Sequence, residues 1–281
     1  MVQTAAKLVL EPIFEADFED GAYGLSAQTQ WDRRNQGSAP ACLPGPMDVV
    51  NADLSKYFDT IPHSDLLKSV ARRIVDRHVR RLTKLWLKAP IEERDGDGKR
   101  HVSGGKSSTR GTSQGGVASP LPSVIYMNRF LKHWRLTGRG ETFRAHVISY
   151  ADDFVILSCR HAVEALAWTR TVMAKLGLTL NEAKTSVKDA RTEPFDFLGY
   201  TFGPHRYRKD GHWYLGASPS KKSVQRIKTK IGDHLVNGNQ EPWPVVCTRL
   251  NRLLHGWVRL LWPSEVDQEC RGVQTFCRLD S

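Results

Sequence analysis

The chain has 281 residues, enough to bury a core and to form one large domain or two. Its 41 Lys+Arg outweigh 30 Asp+Glu, for a formal net charge of +11 and a pI near 9.5, a balance that favours phosphate-bearing partners and salt-dependent binding. Five cysteines without C-x-x-C spacing argue against a disulfide framework or a zinc site and suit a reducing cytosol, and there is neither a signal-peptide pattern nor an apolar run of membrane-spanning length.

Taken in chain order, Ala5 to Phe14 reads as a short helix with Leu8, Val9 and Ile13 as its apolar positions. Asp17 to Pro46 is turn-rich and has poor periodicity. Met47 to Ala52 reads as a buried strand that ends on Asp53. Pro62 opens a helical region, with Leu67, Val70 and Ile74, and then Leu82, Leu85 and Trp86, at helical spacing. Asp95-Gly96-Asp97-Gly98 is a hairpin turn signal. Ser119 is the expected cap of a helix with Pro120 at its first position and Leu121, Val124, Ile125 and Leu131 on its buried stripe.

Two strand-like runs, Phe143 to Ser149 and Phe154 to Ser158, flank Tyr150-Ala151-Asp152-Asp153 and place two adjacent carboxylates at a tight hairpin turn. A helix from about Ala162 to Leu176 follows, ended by Gly177. Phe195 to Phe202 and His212 to Leu215 read as strands. From Pro219 the character becomes helical, with stripes at Val224, Ile227, Ile231 and Leu235, and at Leu250, Leu253, Leu254, Trp257 and Leu261. Helices alternating with an antiparallel hairpin make the chain α+β.

The carboxylates carry the chemistry. An Asp-Asp pair is most often a solvated turn, but apolar residues crowd both sides of this one. Side by side, the two acids repel, and a divalent cation is the natural partner to relieve that repulsion. Asp53 is a third acid, opening Asp53-Leu54-Ser55-Lys56-Tyr57-Phe58-Asp59. Three carboxylates from two strands suit two metals and an in-line phosphoryl displacement.

Further segments complete a pattern: Gly111-Thr112-Ser113-Gln114-Gly115-Gly116-Val117-Ala118-Ser119-Pro120, Leu178 to Thr185, Phe197 to Phe202, Pro219-Ser220-Lys221-Lys222, and Leu250 to Trp257. In this order and spacing the chain resembles the group II intron reverse transcriptase/maturase family, from about Val2 to Gly24 and again from about Asp48 to Trp257. The resemblance implies an α+β right-hand polymerase: a palm with partial fingers over residues 1–216, a small α-helical thumb over 217–262 and an irregular tail over 263–281.

The implied activity is RNA-directed DNA synthesis with two Mg²⁺ ions, or Mn²⁺, on an RNA template with a DNA primer and deoxynucleoside triphosphates. Group II intron RNA and a bacterial cytosol are the expected setting. Asp53 and Asp152 would bridge the metals, Asp153 would support them, and the Leu54 carbonyl would add a ligand. Lys184 would protonate or electrostatically stabilise the leaving pyrophosphate; alone it reads as a solvated lysine near a turn. Phe58 would exclude a ribose 2′-hydroxyl; by spacing alone it reads equally as a core residue. Gln114 would orient the nucleotide with Gly115 and Gly116 allowing close backbone approach; without its neighbours it reads as a turn glutamine. Tyr150 would pack beneath the primer end. Asp59 reads rather as the cap of the next helix. Lys221, Lys222, Arg226, Lys228 and Lys230 would hold the template–primer backbone; alone they read as an ordinary solvated helix face.

The match breaks in three places. The chain begins inside the family pattern, so the upstream fingers segment is expected to be missing. Residues 25 to about 47 lose the pattern from Leu25-Ser26 onward, and Val258 to Ser281 lacks the aromatic-rich helix expected there. Paired frameshifts would produce such abrupt loss and recovery. Ser113 and Pro122 stand where Pro and Leu are usual. A catalytically impaired RNA-binding remnant and an intron-splicing maturase are the alternatives to an active polymerase.

Overall fold

The computed structural model describes residues 2–23, 47–94, 100–112, 120–206, 213–236 and 241–261. The elements run α1 (Val2–Glu15), β1 (Ala22–Tyr23), β2 (Asp48–Asp53), α2 (Tyr57–Thr60), α3 (His63–Ala71), α4 (Arg77–Leu87), β3 (Pro90–Arg94), β4 (Arg100–Gly104) and α5 (Pro120–Leu136). They continue with α6 (Arg139–Thr142), β5 (Ala145–Tyr150), β6 (Asp153–Ser158), α7 (Ala162–Lys175), β7 (Ser186–Asp189), β8 (Phe195–Phe197), β9 (Tyr200–Arg206), β10 (Trp213–Pro219), α8 (Lys221–His234) and α9 (Trp243–Leu261).

The central sheet has the order β1-β5-β6-β2-β7, antiparallel except where β1 lies parallel to β5. It is covered on both faces. Val50, Ala52, Val147, Phe154 and Ile156 belong to a core shared with α5 and α7, where Phe130 meets Phe154 at 5.9 Å and Trp168 at 6.2 Å. Val49, Ile148, Val155 and Leu157 face the other way, onto Phe195, Phe197 and Phe202 of the β8–β9 hairpin. Burial on both sides is why β6 reads as a continuous apolar run rather than an alternating one.

Several expected elements shift. The strand expected over Phe195 to Phe202 is two strands, because Leu198 (φ 51°) and Gly199 (φ 81°) both take left-handed backbone and close a two-residue hairpin between Phe197 and Tyr200. In α1 the buried positions are Leu10 and Phe14, while Leu8 and Val9 are two-thirds exposed. Spacing of four residues puts that pair on one side of the helix, and Leu8 and Val9 fall outside it. In α3 it is Leu66 and Val70 that are buried, and Ile74, just beyond the helix, is buried with them. Asp59 does not cap α3: it lies inside α2, and Pro62 precedes α3 with no side-chain cap. Pro62 therefore stands just before the helix rather than at its first position. The hairpin signal at Asp95–Gly98 joins β3 to β4, but its residues lie outside the described ones, as does the expected cap Ser119.

Two helices follow the sheets. Ser220 caps α8 by accepting from the Ser223 N–H, and its own N–H donates to the Gly199 carbonyl, which also accepts from Ser223 Oγ. These bonds tie the start of α8 to the tip of the β8–β9 hairpin.

Candidate active site

The acids come together because three strands end at one place. Register pairs Asp53 of β2 with Asp153 of β6, and Tyr150 of β5 with the same Asp153. The Asp53 carbonyl accepts from the Asn181 N–H at 2.8 Å, so the polar backbone groups of Asp53 point away from β6. The Asp53–Asp153 pair is then of the non-hydrogen-bonded kind, in which facing side chains stand closest. Leu54 pairs with Leu180 through bonds made by its neighbours, Ser55 N–H to the Thr179 carbonyl and Asn181 N–H to the Asp53 carbonyl. The Leu54 carbonyl is thereby turned to the opposite side, that of β6 and the acidic turn.

Only Ala151 and Asp152 separate β5 from β6, and Ala151 sits at φ 53°. A side chain there costs on the order of 1–3 kcal/mol, strain of the kind that clusters at functional sites. The Asp153 carboxyl is open to solvent on one edge yet is pushed up to about 6. Partial desolvation at the strand ends is the main cause, followed by repulsion from Asp152 and then Asp53; Lys184 opposes them, and a hydrogen bond with Asp53 adds a further rise. Tyr57, fully buried beneath the site, donates to the Ser123 carbonyl at 2.6 Å. Its hydroxyl is raised well above its ordinary range by desolvation first, then by Tyr126 and Asp152.

Lys184 reaches Asp53: its Nζ lies 3.1 Å from Asp53 Oδ2, and the contact holds the ammonium above its ordinary range. Asn181 Nδ2 donates to the same oxygen at 3.1 Å. The loop that carries both is fixed to α7 by Arg170, whose Nε and Nη2 donate to Glu182 at 3.0 and 2.7 Å. Among the described residues no three Asp, Glu, His or Cys side chains are gathered into a group able to hold a metal ion. The charge coupling nevertheless links all three aspartates, and their hard oxygens, with the Leu54 carbonyl, are the donor type that Mg²⁺ takes.

Phe58 is half-buried against the main core and meets Tyr57 edge-on at 5.6 Å. Its carbonyl accepts from the Thr112 N–H at 2.6 Å, and Gly111 N–H donates to the Ile61 carbonyl at 2.9 Å. The root of the Gly-rich loop is thus stitched beside Phe58. Gly111 has φ +93°, and a Cβ there would stand 3.2 Å from the Asp59 carbonyl oxygen, so the position favours glycine. His63 Nε2 lies 2.5 Å from the Gly111 carbonyl. Gln114, Gly115 and Gly116 lie outside the described residues. Tyr150 is half-buried and packs against the hairpin-side core. The five thumb cations, Lys221, Lys222, Arg226, Lys228 and Lys230, are all exposed on α8, while Ile227 is buried.

The structure therefore brings Asp53, Leu54, Asp152, Asp153, Tyr150 and Lys184 to one end of the sheet. Asn181 joins it without having been assigned a part from sequence, and His63 and Thr112, likewise unassigned, hold the root of the Gly-rich loop at Gly111 and Phe58. Asn181 lies within the Leu178 to Thr185 segment, but nothing local shows that its amide meets a carboxylate 128 positions earlier.

A family model described as reverse transcriptase (RNA-dependent DNA polymerase) matches residues 2–202. Protein YkfC of Escherichia coli (strain K12) is 29% identical over 267 residues, covering 79% of this chain and 65% of that protein. A putative COX1/OXI3 intron 1 protein of Saccharomyces cerevisiae is 25% identical over 255 residues, covering 71% of this chain and 29% of that protein. The group II intron-encoded protein LtrA of Lactococcus lactis subsp. cremoris is 29% identical over 132 residues, 47% of this chain and 20% of that protein. The chain thus spans less than two thirds of the length of each of these relatives. Among solved structures, telomerase from Candida tropicalis in complex with a TWJ fragment of telomeric RNA superposes with a TM-score of 0.54 at 13% identity, over 96% of this chain and 47% of that one. Telomerase from Candida albicans, likewise with a TWJ fragment, gives 0.52 at 14% identity, over 97% of this chain and 47% of that one. These likenesses show the polymerase fold, and the match over residues 2–202 places the chain in the reverse transcriptase family, with group II intron-encoded proteins among its relatives.

Proposed function

We propose that the chain carries the catalytic palm of an RNA-directed DNA polymerase of the group II intron type. The observation behind this reading is the facing pair Asp53 and Asp153, with Asp152 one residue away and charge-coupled to it. Asp53, Asp152, Asp153 and the Leu54 carbonyl would hold two Mg²⁺ ions, or Mn²⁺. When bound, such ions sharpen a primer 3′-hydroxyl and neutralise the charge of the triphosphate and departing pyrophosphate.

The protein's own part is positioning and charge. Lys184, on an exposed loop beside Asp53, would exchange its carboxylate contact for the pyrophosphate oxygens. Phe58, held by core packing and by the Thr112 bond to its carbonyl, would fill the space a ribose 2′-hydroxyl needs. Gln114 and Gly115, on the loop rooted at Thr112, would orient the nucleotide. Tyr150 would support the primer end. We divide the chain as palm with partial fingers over 1–216, thumb over 217–262 and tail over 263–281; the thumb's α8 would grip the backbone of an RNA template and DNA primer without reading sequence.

Primer extension on a primed RNA template tests the reading. The unsubstituted protein should extend with Mg²⁺. Asp53→Ala should abolish extension while leaving RNA affinity within about twofold, because it removes no cation that contacts phosphate. Failure of the unsubstituted protein to extend would overturn the polymerase reading. A second reading, RNA binding for splicing without synthesis, is favoured by one observation: Lys221, Lys222, Arg226, Lys228 and Lys230 are all exposed on α8.

A further inference from the structure

A cavity of about 330 Å³ lies between the end of α1, α3 and α5, and none of its lining residues is on the strands that carry the acids. Its floor is apolar, with Phe14, Phe18 and Ile125, and the exposed Leu136 also lines it. Its walls are cationic, with Arg72, Arg73, Arg129 and Lys132. Asp17 is the carboxylate of the lining, and it is paired with Arg73. Among the described residues no carboxylate lies within ion-pair distance of Arg72, Arg129 or Lys132.

Arg129 is held at the wall rather than out in water. Its guanidinium stacks over the Tyr126 ring at 5.1 Å, and its Nη1 is buried without a hydrogen-bond partner. A partly desolvated cation with an unmet donor gains more from an anion than a solvated one does. Arg72 and Arg73 then lead into α4, where Arg77, Arg80, Arg81 and Lys84 are all exposed.

An apolar floor beneath cationic walls fits a ligand with a flat ring and a phosphate. Asn128, Asp17 and Ser69, polar groups of the lining that could read a base edge, are already engaged, Ser69 Oγ donating to the Asp65 carbonyl. Asn128 accepts from the Glu19 N–H and donates to the Asp17 carbonyl, and the Asp17 carboxylate is taken by Arg73.

We propose that this cavity is a second RNA site, which takes one unpaired nucleotide of a bound RNA strand outside the template–primer path, independent of its sequence. The phosphate sits on Arg129, Arg72 and Lys132, and the base lies on Phe14 and Phe18. The RNA partner is taken from the function proposed above, whereas the site itself is read from the cavity.

The test is binding of a short single-stranded RNA without a primer, followed by fluorescence anisotropy across a salt series. The triple variant Arg72→Gln, Arg129→Gln, Lys132→Gln should bind at least about tenfold more weakly, with a salt slope reduced by about 0.7, the contribution of one phosphate contact on a single strand. Its extension rate on a saturating short primed template should stay unchanged. Uridine and adenosine tracts should bind alike. Unchanged RNA affinity in the variant would overturn the proposal, as would loss of extension with RNA affinity intact. Displacement of the RNA by inorganic phosphate or a deoxynucleoside triphosphate at equal concentration would make it a small-anion site, and equally tight binding of polyglutamate would make it a protein site; either result overturns it. If the triple variant does not fold, cross-linking of 4-thiouridine RNA to the unsubstituted protein decides: a cross-link in the Phe14–Phe18 peptide supports the site, and cross-links confined to α8 and the acidic turn overturn it. Binding needs no catalysis, so failure of primer extension leaves this result readable.

Discussion

Asn181 holds Asp53 at two points, its N–H donating to the Asp53 carbonyl at 2.8 Å and its side-chain amide to Asp53 Oδ2 at 3.1 Å. The backbone bond fixes the strand, and the amide bond aims the carboxylate. Asn181→Ala removes only the second. Hydrogen bonds to charged groups are worth about 1.5–3 kcal/mol, so extension should fall by roughly tenfold to a hundredfold. The melting temperature should move by no more than a few degrees. Single-turnover extension alongside a thermal melt checks both.

Asp153 sets a pH dependence on stability. Its carboxyl titrates at about 6 in the folded chain, raised mainly by partial desolvation and then by Asp152 and Asp53. An unfolded aspartate titrates near about 4. The folded state therefore holds this proton more tightly, and the contribution is fully present below about pH 4 and lost as pH rises through about 6. Once the screening at its solvent-open edge is allowed for, the loss is about 1 kcal/mol. Asp153→Asn should remove it. Urea midpoints at both ends of that window, with chelator present, should show the variant gaining on the unsubstituted protein as pH rises.

Mg²⁺ should relieve the same repulsion. At about a hundredfold excess over its dissociation constant, a ligand that binds only the folded state adds about 2.7 kcal/mol. Addition of Mg²⁺ at neutral pH should therefore raise the melting temperature, and in Asp53→Asn less than half of the rise should remain. The readout needs neither primer nor nucleotide.

Phe58 bears on nucleotide choice. Phe58→Ala should raise the use of ribonucleotides relative to deoxynucleotides by at least about tenfold, the scale on which one shape contact discriminates. Competing incorporation in one reaction measures the ratio. Phe58 also packs against the main core, so a matched melt separates lost discrimination from lost fold.

Much of this architecture was legible in the residues. Phe154 to Ser158 could be read as a buried strand because four consecutive apolar positions, Phe154 to Leu157, face one core or the other. The acidic turn could be read because its flanks are apolar and its loop is two residues long. What stayed hidden depends on partners distant in sequence. The direction of the Leu54 carbonyl follows from Leu180, and the anchoring of Phe58 follows from Thr112. Asp59 showed the limit of local rules. It is a good capping residue, yet the chain turns into α2 before it can serve α3. In α1 the apolar spacing was visible, but only packing selects Leu10 and Phe14 over Leu8 and Val9.

Strand β2 lies inside the sheet, and both of its neighbours, β6 and β7, come from residues more than 90 positions later. During synthesis at roughly 5–20 residues per second, its edges wait on the order of ten seconds for partners. A nascent chain with an open, apolar edge invites pairing with other chains. Yield of the intact protein should therefore follow the supply of chaperones at the ribosome more closely than it follows final stability.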